Sequence, residues 1–305
     1  MNKTRASFKL AVRYCRQHED MIRADILANS IVDKEYRAFW KHVHNQQKGK
    51  AVNHAAVVGG CAGEKEIAKM WGHHFEQLYN SINDDRSKNF FYECLDNSVG
   101  SDKCTISVHD LLVCISKQKK GKSVGLDDIA MEAFIYGGLR LLVHVCFLFD
   151  MFIKVSYLPQ VLIQSVIIPL VKCKSGNLSD VNNYRAIAIS TAMSKLLESV
   201  IASQVVSSSE IEKYQFGFKA EHSTGICSNV FKQTVNYYVN RGSHVFACFI
   251  DFRKAFDYVN YWKLFTKSLQ DNIDSNIVSL LAYWYSHQEL CVRWISNMSG
   301  FFYGK

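Results

Sequence analysis

A chain of 305 residues that is 48% hydrophobic and 13% aromatic has enough apolar material for one large domain or two ordinary ones, which excludes a disordered tail. A net charge of +8 and a pI near 8.9 fit an anionic partner such as nucleic acid, although many globular proteins are mildly basic. The 10 cysteines are scattered singly, with no CxxC pair and no secretory signal. That argues against both a zinc cluster and a secreted disulfide framework, and for reduced thiols in the nucleus or cytosol.

In chain order, the first hundred residues read as a helical preface. Lys9 to Asn29 and Lys34 to Val43 are charged, helix-favouring segments, and His42/His44 and His73/His74 lack cysteine partners at ligand spacing. Glu64 to Tyr79 repeats Ile67, Met70, Trp71, Phe75 and Leu78 at helical spacing, after a loop at Gly59-Gly60 and Gly63. A new start falls near residue 105, where Ser107 and Asp110 stand in capping-box spacing ahead of Leu111, Leu112 and Ile115. The basic run Lys117 to Lys122 follows. Asp127 or Asp128 then caps an expected helix Ile129 to Tyr136, and Leu139 to Lys154 forms a largely buried one.

The apolar stretch Val155 to Val171 is no membrane span. It holds Pro159, Gln160, Gln164 and Ser165 and is closely flanked by Lys154 and Lys172. It reads instead as a short helix and then a buried strand, Val166 to Val171. With Arg185 to Ile189 that strand makes a hairpin across a long, basic loop. Ser190 or Thr191 opens a helix that ends at Ser207 to Ser209. A loop at Gln215 to Glu221 leads to a helix from Ser223 or Thr224 to Tyr238, closed by Arg241-Gly242. Val245 to Ile250 is expected to be a strand ending on Asp251. Helices near Tyr261 to Leu269 and Ile273 to Tyr285 follow, then a strand pair, Leu290 to Ile295 and Phe301 to Tyr303, with no obvious closing element.

Asp251 is the residue most suggestive of chemistry. A carboxylate fixed at a strand end can hold a metal, and magnesium favours one or two carboxylates together with substrate phosphates; such an Asp also commonly just starts a turn. Its surroundings, Phe249-Ile250-Asp251-Phe252-Arg253-Lys254-Ala255-Phe256-Asp257, closely resemble the first catalytic motif of LINE-type (non-long-terminal-repeat) retrotransposon reverse transcriptases. Three further segments resemble that family in the same order. They are Lys122 to Ile129; Ile168 to Lys174 with Asn183 to Ile187; and Gln215 to Lys219 with His222-Ser223-Thr224. The resemblance covers residues 105–305 strongly and the helical preface loosely.

The resemblance implies an α+β fold: a helical region, 1–104, followed by the fingers and an incomplete palm of a right-hand polymerase, 105–305. It implies an RNA-directed DNA polymerase that extends a DNA primer on an RNA template with deoxynucleoside triphosphates and Mg²⁺, with no membrane partner. By the same resemblance Asp251 binds the metal and Phe252 adds its backbone carbonyl, while Phe256 gates the sugar. Arg185 meets the triphosphate with help from Lys172 or Lys174, since a guanidinium offers a planar fork of donors. Gln215, Phe218 and Lys219 neighbour the template or nucleotide. Asp257 reads more simply as a helix cap.

The sequence departs from the family at Ala186, where proline is common, and at Glu221 and Arg253. The family's Gly-Gln loop and its paired aspartates are also absent after Asp257, although two-metal phosphoryl transfer needs carboxylates from both segments. The expectation is a polymerase by descent that is inactive as it stands. The alternative is a non-catalytic, nucleic-acid-binding remnant of a retroelement.

Overall fold

The computed structural model describes residues 2–33, 35–36, 55–80, 84–98, 105–208, 214–219, 221–252 and 255–304. Most of the expected helix at 34–43, together with His42/His44 and Arg253, lies outside them. The chain divides into two units, Met1–His54 and Ala55–Lys305. Two helices ahead of residue 105 therefore belong to the same unit as everything after it.

In the first unit the expected helix is two, α1 (Asn2–Gln17) and α2 (Glu19–Val32), with His18 between them. The backbone bonds from His18 N–H to the Tyr14 carbonyl and from Ile22 N–H to the His18 carbonyl carry the ladder across the junction. The His18 ring stacks on Tyr14 at 4.2 Å.

The second unit opens with a tiny hairpin, β1 (Val57–Val58) and β2 (Cys61–Ala62). Its two-residue turn places Gly59 and Gly60 at φ +57° and +79°, a conformation that suits glycine and the twist of paired strands. Helix α3 (Glu64–Tyr79) has the expected bounds. Its buried face of Ile67, Ala68, Trp71 and Phe75 packs on Ile167, Tyr184, Leu290, Val292, Trp294 and Phe302.

Those partners belong to one five-stranded sheet. Strand β3 (Gln164–Val171) pairs antiparallel with β4 (Tyr184–Ile189), from Val166↔Ile189 to Val171↔Tyr184, as the alternation of residues anticipates. On its other edge β3 runs parallel to β5 (Glu289–Trp294), Gln164↔Glu289 to Ile167↔Val292. Beyond β5 lie β6 (Asn297–Met298) and β7 (Phe302–Tyr303). Their registers differ by one residue: Arg293 faces Met298 but Leu290 faces Phe302. The extra residue makes a bulge at 300–301, just after Ser299, whose hydroxyl accepts the Val292 N–H at 2.8 Å. The two strand pairs expected separately are thus parts of one sheet.

Eight helices build a second core. They are α4 (Asp85–Asp96), α5 (Val108–Ser116), α6 (Glu132–Tyr136), α7 (Gly138–Val155), α8 (Gln160–Ile163), α9 (Ala192–Ser208), α11 (Tyr261–Gln270) and α12 (Ser275–His287). The expected capping box at α5 forms in both directions: Asp110 N–H donates to Ser107 Oγ, and Ser107 N–H to Asp110 Oδ2. Thr191, buried, caps α9 by accepting the Ser194 N–H at 3.1 Å. No described helix is long and apolar enough to cross a membrane.

Three expectations fail. The helix expected from Ile129 starts only at Glu132, because Asp128 takes φ +54° and Asp127 accepts the Ile129 N–H in a turn. Asp257 caps nothing: it lies in a turn, and Asn260 caps α11 by accepting the Lys263 N–H. Most consequentially, residues 245–250 form no strand. They run without regular structure, and Phe246, Phe249 and Ile250 are 95%, 82% and 79% exposed. The helix before them, α10 (Thr224–Val239), has no buried residue.

Candidate nucleic-acid interface

The loop between β3 and β4 is held by its own side chains. Asn183 accepts the Cys173 N–H at 3.0 Å and donates to the carbonyls of Cys173 and Asn177. Tyr184 Oη donates to the Leu178 carbonyl, and Asp180 caps the short turn at Val181–Asn183. Lys172 Nζ donates to the Asn182 carbonyl at 2.9 Å, which fixes one cation at the mouth of the hairpin. Lys174 is exposed, with no described carboxylate within ion-pair distance. Between the two lysines, the hydroxyl of Ser175 and the backbone N–H groups of Ser175 and Gly176 hold the Cys173 thiol below its ordinary pKa.

Arg185 stands on β4, exposed and opposite Leu170 in the ladder. Side chains alternate along a strand, so Arg185, Ile187 and Ile189 share one face at roughly 6.6 Å steps. Ile187 and Ile189 line a groove of about 500 Å³. Its rim carries Lys117, Lys119 and Lys122 from the loop after α5, and Lys195 from α9; no acidic side chain lines it. Ile129, Met131 and Ala192 complete an apolar floor.

The loop's fold explains why these lysines converge. Gly121, at φ +67°, donates its N–H to Glu132 Oε1, and Gln118 reaches Ser199 Oγ at 3.0 Å. Lys120, which does not line the groove, donates to Tyr136 Oη and lies over that ring. Gly125 presses on the backbone of Thr191 so closely that a Cβ there would come within 2.8 Å of Thr191 Cα. The glycine of the 122–129 segment thus docks the basic loop against the start of α9. In the sequence the run Lys117 to Lys122 is visible as charge, but nothing marks Lys195 as its companion; only folding brings α9 beside it.

The other site candidates are elsewhere on the chain. Gln215 donates to the Gly217 carbonyl, Phe218 takes φ +58°, and Lys219 is partly exposed. Phe218 meets Phe256 edge to face at 6.1 Å, so an expected template neighbour and the expected sugar gate touch. Asp251 and Phe252 are exposed in the segment without regular structure. Asp257 is near Tyr79, whose hydroxyl is pushed up to about 12 chiefly by burial and then by this carboxylate.

Among the described residues no three His, Cys, Asp or Glu side chains converge as a metal site. Asp251 is among the described residues and belongs to no such cluster.

No family model matches the sequence. The chain is similar to the RNA-directed DNA polymerase from mobile element jockey of Drosophila funebris, with 23% identity over 237 residues. The similarity takes in 73% of this chain but 25% of that protein, so the chain corresponds to about a quarter of its relative. It supports a distant relationship to retrotransposon reverse transcriptases, on an α+β fold.

Proposed function

We propose that residues 105–305 serve as the fingers and part of the palm of an RNA-directed DNA polymerase of a LINE-type element. The observation that carries this reading is the cationic face: four lysines around an apolar-floored groove, with Arg185 farther along the β4 strand that lines it. Such a surface suits a polynucleotide, because the lysines meet phosphates while the apolar floor accommodates bases. In this reading Arg185, Lys172 and Lys174 receive the nucleotide triphosphate, and Gln215, Phe218 and Lys219 lie near the template. Phe256 excludes a 2′-hydroxyl. Asp251, with the Phe252 carbonyl, supplies part of a magnesium site whose remaining carboxylates are not among the described residues.

The test is RNA binding by the 305-residue chain across a salt series. Lys119→Gln/Lys122→Gln/Lys195→Gln should weaken binding to single-stranded RNA and reduce the slope of log K against log salt by about 2, at about 0.7 per lost phosphate contact. Unchanged affinity and slope would remove the groove from the reading.

A second reading, a nucleic-acid-binding remnant without catalysis, rests on the same cationic groove and asks nothing of Asp251. The two part on primer extension with Mg²⁺ by this chain joined to the downstream palm of a relative. Extension that disappears in Asp251→Asn favours the polymerase, and no extension at all favours the remnant.

A further inference from the structure

Helix α1 carries Lys3, Arg5, Lys9, Arg13 and Arg16 and no acidic residue. It thus holds five of the chain's eight net positive charges, leaving +3 (eight minus five) for all other residues. The cations are not spread evenly around the helix. Lys9, Arg13 and Arg16 recur at spacings of four and three, which places them in one row along the axis. Lys9, Arg13 and Arg16 are exposed. The positions of Phe8, Ala11 and Cys15 lie away from that row.

We propose that α1 is a second nucleic-acid contact, separate from the groove, whose cationic row lies along the phosphate backbone of a duplex. Lys9 to Arg16 span about 10 Å of rigid helix at 1.5 Å per residue. A duplex presents about one phosphate charge per 1.7 Å of axis, so a straight cation row meets a dense line of partners. Single strands are held chiefly by stacking on aromatic rings, and the row itself contains none. A flat anionic membrane suits the feature less well. Glu19, Asp20 and Asp25 follow at once in α2 and would oppose a broad anionic surface. The row belongs to the unit Met1–His54, whereas the groove belongs to Ala55–Lys305.

The experiment uses the full 305-residue chain and two labelled probes, a duplex of about 20 base pairs and a single-stranded RNA, titrated across a salt series. Lys9→Gln/Arg13→Gln/Arg16→Gln should lower duplex affinity and reduce the salt slope by about 2.7, or about 0.9 for each of three contacts. Single-strand binding through the groove should persist. Arg13→Lys/Arg16→Lys should bind duplex nearly as the parent does, since charge and helix are both kept; loss in this variant would indicate a structural role and overturn the proposal. An unchanged duplex affinity and slope in the triple Gln variant would overturn it as well. So would charge-dependent sedimentation with phosphatidylserine vesicles combined with unaltered duplex binding, which would assign the row to membranes. Because the groove variants act on the single strand, failure of the polymerase reading leaves this test intact, and the reverse holds too.

Discussion

Two segments of this chain have similar β-forming composition and opposite fates. Residues 164–171 become a central strand, paired on both edges and covered by α3. Residues 245–250, Val-Phe-Ala-Cys-Phe-Ile, stay without regular structure, outside every described ladder and exposed. The difference does not lie in intrinsic preference. Strand β3 has a hairpin partner about fifteen residues away and a helix to bury its face, while no described residue offers a ladder to 245–250. A strand is a relation between segments, and its energy comes from pairing and packing more than from the residues alone.

That contrast can be attacked directly. Trp71, 1% exposed at the α3–sheet contact, should cost about 3–5 kcal/mol on replacement by Ala, whereas Phe246→Ala should stay within about 0.5 kcal/mol. Chemical denaturation measures both, and equal losses would show that 245–250 is packed after all. Trp71→Phe should cost much less than Trp71→Ala, because the buried Trp71 Nε1 finds no hydrogen-bond partner among the described residues. Next comes Gly125→Ala, which should lose about 1–3 kcal/mol by pushing the basic loop from Thr191, and should weaken RNA binding along with stability. Loss of stability with RNA affinity intact would separate the loop's docking from the groove.

A smaller effect concerns the anchor at the end of the exposed segment. Asp84 caps α4 through Ser87 and accepts from Asn260, which caps α11. The Ser87 hydrogen bonds, followed by those to Asn260 and the charge of Lys263, hold the Asp84 carboxyl down to about 2 from 3.8. Its folded value is depressed, so its contribution is complete above about pH 4 and disappears as pH falls toward 2. Thermal melts of Asp84→Asn should be less acid-sensitive than the parent in that window; parallel curves would refute the linkage. Smallest of all, Cys173 should be alkylated faster than the likewise exposed Cys248 near neutral pH, as peptide mass spectrometry can read, because the Ser175 hydroxyl and the Ser175 and Gly176 N–H groups stabilise the Cys173 thiolate.

What could be read from the sequence was what local chemistry decides. The apolar row of α3, the Ser107–Asp110 box and the alternation across β3 and β4 each depend on neighbours within about twenty residues, and each forms as expected. Decisions that need distant partners were hidden. The parallel pairing of β3 with β5 joins Ile167 to Val292, and Lys195 reaches the basic loop only through the packing of α9. Asp128 was misleading because a capping residue type also tolerates the left-handed turn it adopts. For 245–250 the composition favours a strand, but no described segment pairs with it. The roles of Arg185, Phe256 and Asp251 rest on family likeness; of these, the fold brings only Arg185 into the neighbourhood of the groove.

The parallel β3–β5 pairing also has a consequence for how the chain is made. During synthesis the β3–β4 hairpin and α3 emerge early, but Trp294, whose ring lies 6.3 Å from that of Trp71, emerges more than a hundred residues later. Until then one flank of Trp71 faces solvent, and closure must wait for a long loop to be bridged, which slows folding and prolongs exposure of apolar surface. Tryptophan fluorescence of ribosome-bound chains of increasing length should therefore shift late and abruptly, once β5 has cleared the exit tunnel.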